Sequence, residues 1–296
     1  MESVQKYFDK LDTIRKCDQD IIYVNFDEVL SQYTFQFKGE KNVDLINNNK
    51  SKVRTTVGAC ITSEGEFLPP LVVSIYKQEN KKVKKNPLKA MQKREYPRKY
   101  EGLRNQIRPF VLRFTPSGFN NEKLMIEWIT KFLLPYAKTK AEEGSRTVFL
   151  LDAASFHISS NVKSLLKENN IDLAKVPAGC TDFLQPLDVC INKPLKDKVR
   201  QQYVKWLEEN YGREESFMKA GYLKAPDPEI FLGWVIQAMS LIERNIKVNS
   251  SQVCGVAWGM HENVNLNQKL LKSFDDLVIM VSLLLIFPLL RFLPPP

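Results

Sequence analysis

Residues 147–160 read TVFLLDAASFHISS and combine an apolar run with an acid at its end. Residues 147–151 show no polar alternation, which is typical of a central strand that is covered on both faces. Asp152 follows this run directly, and ligands bind at the carboxyl ends of strands in open α/β sheets. A carboxylate is costly to leave unpaired there, and its natural partner is a cation. The stretch therefore predicts a buried strand that ends at a cation-binding carboxylate.

The sequence on both sides predicts further strands and helices. The apolar or β-rich runs that predict strands are 21–24, 53–62, 66–75, 109–114 and 171–176. Residues 63–65 are a short turn signal, so the second and third runs are expected to form a hairpin. Helical spacing predicts helices within 119–144, which Ser117 introduces, at 159–169 with Ser159 as the N-cap, and at about 189–209. Strands followed by alternating helices and strands favour a mixed α/β layer fold.

Two further carboxylates can reach the same edge of the predicted sheet. Asp27 comes just after a short apolar strand, and Asp188 stands near the start of a helix. Three converging carboxylates suit Mg²⁺ or Mn²⁺, and two such ions about 3.5–4 Å apart support phosphodiester chemistry. A single Asp at a strand end is more often a cap or turn residue. It is the ordered set of three that favours a metal site.

The net charge of +9 is concentrated in one segment. Residues 77–108 contain twelve basic and three acidic residues, so their net charge equals that of the whole chain. Such a segment attracts polyanions, because phosphate contacts release condensed counterions. A solvated loop without a fixed partner is the alternative. The candidate nucleic-acid-binding residues are Lys81, Lys82, Lys84, Lys85, Lys93, Arg94, Arg98 and Lys99.

The remaining composition excludes several classes of protein. Five scattered Cys without a CxxC pair do not form a disulfide framework and favour a reducing compartment. Two His make a zinc site of His and Cys improbable. The apolar run from Leu277 is broken by Ser282 and Pro288, and it is shorter than the roughly 20 residues of a membrane span. We therefore expect no membrane insertion.

Several pieces of the sequence, taken in order, resemble the DDE superfamily endonuclease domain of pogo/Tigger-type transposases. This group includes jerky-like and centromere-binding-protein-B-like domesticated proteins. The matching pieces cover about residues 20 to 205, and their ordered combination is specific. They are NFDE (25–28), VRTTVGACITSEGEFLPPLVV (53–73), SGFNNEKLMIEWITKFLLP (117–135), LLDAASFH (150–157), VPAGCTDFLQPLD (176–188) and PLK (194–196).

The resemblance implies a ribonuclease-H-like mixed sheet flanked by helices. A basic insertion and extra C-terminal helices are expected in addition. The resemblance also implies that Asp27, Asp152 and Asp188 form the catalytic triad and hold two Mg²⁺ or Mn²⁺ ions. The implied activity is metal-dependent hydrolysis of DNA at transposon ends, followed by strand transfer. DNA is the expected partner, a homodimer is left open, and no small-molecule substrate is expected. The expected compartment is the nucleus.

Other residues near the triad have competing interpretations. Glu28 is either an outer acid of the site or the partner of a Lys or Arg. His157 either orients a water or phosphate, or packs in its loop with a backbone partner. Asp182 competes with Asp188 as the third acid, and the QPLD context favours Asp188. Trp128 is expected in the core.

The expected organisation is a tail or helix at 1–19, the catalytic domain at 20–210 with the insertion at 77–108, a helical extension at 211–276 and an apolar tail at 277–296. Relatives carry N-terminal helix-turn-helix domains, and this chain begins almost at the first catalytic strand. One rival function is a domesticated, catalytically silent nucleic-acid-binding protein. Another is a ribonuclease that acts on RNA–DNA hybrids, which the QPLD context disfavours.

Overall fold

The computed structural model describes eight parts of the chain: residues 2–16, 20–30, 55–75, 110–155, 157–210, 213–216, 226 and 228–257. The basic segment 77–108, with its candidate nucleic-acid-binding residues, lies outside them, and so does the apolar tail 277–296. What the sequence predicts for these two segments stays a prediction.

Six strands form one mixed sheet, in the order β4-β3-β2-β1-β5-β6. They are β1 (Asp20–Leu30), β2 (Thr55–Thr62), β3 (Phe67–Ile75), β4 (Val111–Thr115), β5 (Ser145–Leu151) and β6 (Asp172–Lys175). The β2 strand is antiparallel to both of its neighbours, whereas the other pairs are parallel. The run β3-β2-β1-β5-β6, flanked by helices, is the ribonuclease-H-like arrangement that the sequence predicts, and the β2–β3 hairpin is present.

Helices connect and cover these strands. Helix α1 is Glu2–Arg15. Helix α2 begins as Glu122–Trp128, passes through a π-helical turn at Ile129–Leu133 and continues as Leu134–Glu142. Helix α3 is Ser160–Glu168, with the predicted Ser159 as its N-cap, and a short helix α4 is Thr181–Leu184. Helix α5 opens with a π-helical turn, Leu187–Ile191, and continues as Asn192–Asn210. A 3-10 turn, Glu214–Ser216, is followed by α6 (Pro228–Ser240) and α7 (Arg244–Val253).

The sheet is a central layer with apolar contacts on both faces. On one face, α2 and α3 pack on alternate residues of β1, such as Val24 and Phe26, and on Phe149 of β5. Trp128 of α2 is fully buried in this layer, as the sequence predicts. On the other face, α5, α6 and α7 pack on β2 and on Val29 of β1. Residues on the two faces of β1 therefore meet different helices.

Candidate carboxylate site

The first candidate acid, Asp27, lies inside β1 and not beyond its end. The strand pairs with β5 as far as Asn25 opposite Leu150, but it continues along β2 to Leu30. Asp27 is therefore past the last residue pair with β5, although the strand itself has not ended. Since side chains alternate along a strand, Asp27 shares a face with Asn25 and Val29, while Glu28 shares the opposite face with Phe26.

The second candidate acid, Asp152, directly follows β5. Its Oδ1 accepts a hydrogen bond of 3.1 Å from the backbone N–H of Ala154 and a further hydrogen bond from Nδ1 of His157. Burial raises the pKa of Asp152, but the hydrogen bond and charge of His157 outweigh it, with help from the Ala154 N–H, so the pKa lies below its usual value. Asp152 is therefore held as a carboxylate.

His157 joins two carboxylates across the sheet. Its Nδ1 contacts Asp152, and its Nε2 lies 3.1 Å from Oε1 of Glu28. The side chain is completely buried and meets the ring of Phe26 edge to face. Burial lowers the pKa of His157, but the hydrogen bonds to Asp152 and Glu28 outweigh this and raise the pKa to about 9. The sequence predicts neither partner, because its two interpretations invoke a phosphate or a backbone group.

Glu28 has a second partner that the sequence does not indicate. Nδ2 of Asn120 donates a hydrogen bond of 2.8 Å to Oε1 of Glu28, the same atom that faces His157. Asn120 is buried just before α2. In the described part of the chain, Glu28 thus pairs with a His and an Asn, and not with a Lys or Arg.

The third candidate acid, Asp188, is held against the sheet by the buried side chain of Asn25. Oδ1 of Asn25 accepts a hydrogen bond of 2.9 Å from the backbone N–H of Leu187, and its Nδ2 donates one of 3.2 Å to the carbonyl of Leu150. This amide ties the start of α5 to β1 and β5. Asn25 and Leu187 are 162 positions apart, so the sequence gives no local signal for this contact.

Asp188 itself receives hydrogen bonds from two side-chain amides. Nδ2 of Asn192 lies 2.6 Å from Oδ1 of Asp188, and Nε2 of Gln185 lies 3.3 Å from Oδ2. Burial raises the pKa of Asp188, while the Asn192 hydrogen bond and the charge of Lys196 act in the opposite direction. The sequence gives Gln185 only a role in shaping the loop, and it gives Asn192 no role.

The three candidate acids influence one another electrostatically. Burial is the largest cause that raises the pKa of Asp27 to about 7, followed by the negative charges of Asp188, Glu28 and Asp152. The carboxyl group of Asp27 also hydrogen-bonds to Asp188, which lowers the pKa of Asp188. Residues from β1, the end of β5 and the start of α5 thus form one acidic cluster.

The chemistry of this cluster fits a hard divalent cation, although its side chains are not gathered as ligands. Among the described residues, no three His, Cys, Asp or Glu groups stand where they could hold an ion together. Every candidate donor is nevertheless an oxygen, which Mg²⁺ and Mn²⁺ prefer. Two buried amide oxygens beside Asp188, Oε1 of Gln185 and Oδ1 of Asn192, also lack a hydrogen-bond partner in the described structure. The donor set therefore fits such an ion.

Other charged residues near the cluster lie at the surface. Asp182, the competing third acid, is exposed in α4. Lys193, Lys196 and Arg200 of α5 are exposed as well.

The helices also bear on the question of membrane insertion. Among the helices that the structure describes, none is long and apolar enough to cross a membrane.

Comparison with known proteins agrees with the resemblance seen in the sequence. Residues 51–249 match the model of a family described as DDE superfamily endonuclease. This range includes Asp152 and Asp188, whereas Asp27 precedes it. The chain is similar to "Pogo transposable element with KRAB domain" of Mus musculus, with 26% identity over 237 residues, 79% of this chain and 34% of that protein. The Homo sapiens protein of the same name is 27% identical with the same coverage. The chain thus spans about a third of the length of these relatives.

One solved structure with a similar chain is "Crystal structure of the Mos1 Strand Transfer Complex". The identity is 10%, and the alignment covers 84% of this chain and 56% of that one. The TM-score is 0.44, which is too low to add support to the fold assignment.

Proposed function

The chain belongs to the DDE superfamily endonuclease family, and we propose on this basis that it is a divalent-metal-dependent DNA nuclease of the transposase type. In this proposal Asp27, Asp152 and Asp188 hold two Mg²⁺ or Mn²⁺ ions, and the scissile bond is a DNA phosphodiester. The proposal extends to transfer of the cut strand into a second DNA. The nucleus would be its place of action, since DNA is the proposed substrate.

The observation that carries the proposal is that Asp27, Asp152 and Asp188 stand on elements that meet: β1, the end of β5, and the start of α5, which a buried amide ties to both strands. The negative charges of Asp188 and Asp152 both contribute to the raised pKa of Asp27, so the three carboxylates lie within reach of each other's fields. Like charges at such a site are unfavourable unless a proton or a cation compensates them. A divalent cation would remove this repulsion, because a nearby positive charge favours the ionised carboxylate.

The residues around the acids would prepare the site. His157 and the Ala154 N–H fix Asp152, and Asn25 fixes the start of the helix that carries Asp188. Two bound divalent ions would activate the attacking water or hydroxyl and stabilise the leaving oxygen of a phosphodiester. The contribution of the chain is to hold Asp152 and the start of α5 in place before DNA arrives.

DNA as the substrate is supported by charge and by the relatives. The segment 77–108 carries a net charge of +9, and such a charge favours phosphate backbones. Exposed Lys193 and Lys196 follow Asp188 along α5 and add positive charge close to the acids. The relatives at 26% and 27% identity are pogo transposable element proteins.

Nicking of supercoiled plasmid DNA in Mg²⁺ or Mn²⁺ tests the proposal. We expect Asp152→Asn to lower the nicking rate at least about 100-fold, because loss of a ligand costs more than the 10–100-fold that is typical of outer partners. Asp182→Asn is the matched control, since Asp182 is exposed and lies close to Asp188 in the sequence. Equal nicking by wild type and Asp152→Asn would contradict the proposal. Salt-sensitive DNA binding without nicking in the wild type would favour the catalytically silent alternative.

A further inference from the structure

Two buried side-chain amides surround the carboxylate of Asp188. Asn192 donates to one carboxylate oxygen and Gln185 to the other, at 2.6 and 3.3 Å. The side chain of Gln185 is completely buried and Asn192 is only 7% exposed. Both oxygens of Asp188 therefore receive a hydrogen bond from a group with little access to solvent.

The local backbone explains why these two residues reach Asp188. Asn192 follows Asp188 by four positions in α5, and residues four apart lie on the same side of a helix. Gln185 is the extended residue that ends α4, shortly before α5 begins. The helix is π-helical from Leu187 to Ile191, a conformation that occurs often at functional sites. Leu187 and Ile191 are completely buried against the second face of the sheet. The position of Asp188 is thus set by apolar residues on one side and by the two amides on the other.

The same two amides leave their oxygens without partners. Oε1 of Gln185 and Oδ1 of Asn192 are buried and accept no hydrogen bond in the described structure. An unpaired buried acceptor is unfavourable, and it requires an explanation such as an ion or a water. A leucine at either position has a similar volume and would avoid the unpaired oxygen, so packing alone does not account for the amides.

We propose that Gln185 and Asn192 are positioning residues for the third acid of the cluster. Their N–H groups hold the carboxylate of Asp188 beside Asp27, and their free oxygens accept hydrogen bonds from the water molecules that accompany a bound divalent ion. This inference rests on the proposed function, since it assigns the two amides to the metal site. It predicts that they matter for metal affinity more than for folding.

Calorimetric titration of the full chain with Mn²⁺ alone tests this. We expect Asn192→Leu and Gln185→Leu each to weaken the Mn²⁺ affinity by about 10–100-fold, as is typical for outer partners of metal ligands. The melting temperature in EDTA should stay within about 3 °C of the wild type, because the lost hydrogen bond to Asp188 is offset by removal of the unpaired oxygen. Asn192→Gln, which keeps the amide, should recover part of the affinity of Asn192→Leu.

Gln237→Leu is the control for an amide-to-leucine change, since Gln237 is exposed on α6, and its Mn²⁺ affinity should equal that of the wild type. If Asn192→Leu and Gln185→Leu both bind Mn²⁺ as tightly as the wild type, the inference is overturned. It is also overturned if each variant that loses Mn²⁺ affinity also melts at a lower temperature than the wild type. If the wild type binds no Mn²⁺, the proposed function fails first, and a crystal structure of Asn192→Leu then decides the positioning role. Movement of the Asp188 carboxylate away from Asp27 would support that role, and an unchanged carboxylate would refute it.

Discussion

Nε2 of His157 lies 3.1 Å from Oε1 of Glu28, although 129 positions separate the two residues in the sequence. Since Nδ1 of the same imidazole contacts Asp152, one buried side chain connects β1 to the loop after β5. Glu28 and Asp152, two acids that the sequence singles out separately, are therefore parts of one hydrogen-bonded assembly.

The first prediction concerns this connection. We expect His157→Gln to lower the free energy of unfolding by about 2–3 kcal/mol, because two charge-assisted hydrogen bonds with little access to solvent are lost or weakened. Urea denaturation at neutral pH measures the change. Asn120→Leu removes the hydrogen bond to Glu28 and the one that Oδ1 of Asn120 accepts from the backbone N–H of Asn121, and it should cost less because no charged donor is lost. Unfolding of His157→Gln at the same urea concentration as the wild type would contradict the structural role.

The second prediction concerns the close approach of β2 to Phe26. A Cβ atom at Gly58 would overlap the ring of Phe26, which is completely buried between Trp128 and His157. We expect Gly58→Ala to cost about 1–3 kcal/mol, as overpacking of a core does. In a double-mutant cycle, Phe26→Leu should relieve part of this cost, because it removes the overlapping atoms. If the changes in unfolding free energy of Gly58→Ala and Phe26→Leu simply add in the double mutant, this would argue against the contact.

The third prediction concerns how the stability of the fold depends on pH through Glu127 of α2, which is not one of the candidate acids. Burial raises the pKa of Glu127, but the hydrogen bonds from Arg113 and Lys131 outweigh it, so the pKa is below its ordinary value of 4.5. A lowered pKa contributes stability above about pH 4.5 that is lost as the pH falls through the folded-state value. Glu127→Gln should therefore cost up to about 1 kcal/mol at pH 7, since the pair is partly exposed.

Thermal or urea unfolding of Glu127→Gln and wild type between pH 7 and pH 3 measures this effect. The difference in unfolding free energy between Glu127→Gln and the wild type should shrink towards pH 3. A difference that stays constant over the whole range would show that the ion pair does not stabilise the fold.

The fourth prediction concerns Asn25, the amide that fixes the start of α5. Replacement by Leu leaves the N–H of Leu187 and the carbonyl of Leu150 without their partner, so we expect a loss of about 2–3 kcal/mol. Amide hydrogen exchange at Leu187 should become faster in the variant, because its hydrogen bond is missing. Unchanged protection of that amide would contradict the contact.

The sequence predicts the strands and helices that carry strong local patterns. The apolar run before Asp152 and the capped helix after Ser159 have the expected bounds within about two residues. The sequence does not predict the π-helical turns in α2 and α5, because no residue type marks them. Nor does it predict the position of Asp27 inside β1, since the length of a strand depends on how far its neighbour extends.

The side chains that support the acids could not be predicted from spacing alone. Asn120 and Glu28 are 92 positions apart, and Asn25 and Leu187 are 162 positions apart. Contacts at such separations follow from the fold, and the sequence carries no local signal for them. Asn192 is the exception, because a polar residue four positions after an acid in a helix is a candidate partner.

The central claim is that Asp27, Asp152 and Asp188 form one divalent-metal site. Isothermal titration of the full chain with Mn²⁺ tests it most directly, with Asp152→Asn, Asp188→Asn and the control Asp182→Asn measured beside the wild type. We expect saturable binding in the wild type and in Asp182→Asn, and its loss in the other two variants. Equal binding in all four proteins, or no saturable binding in the wild type, would contradict the claim.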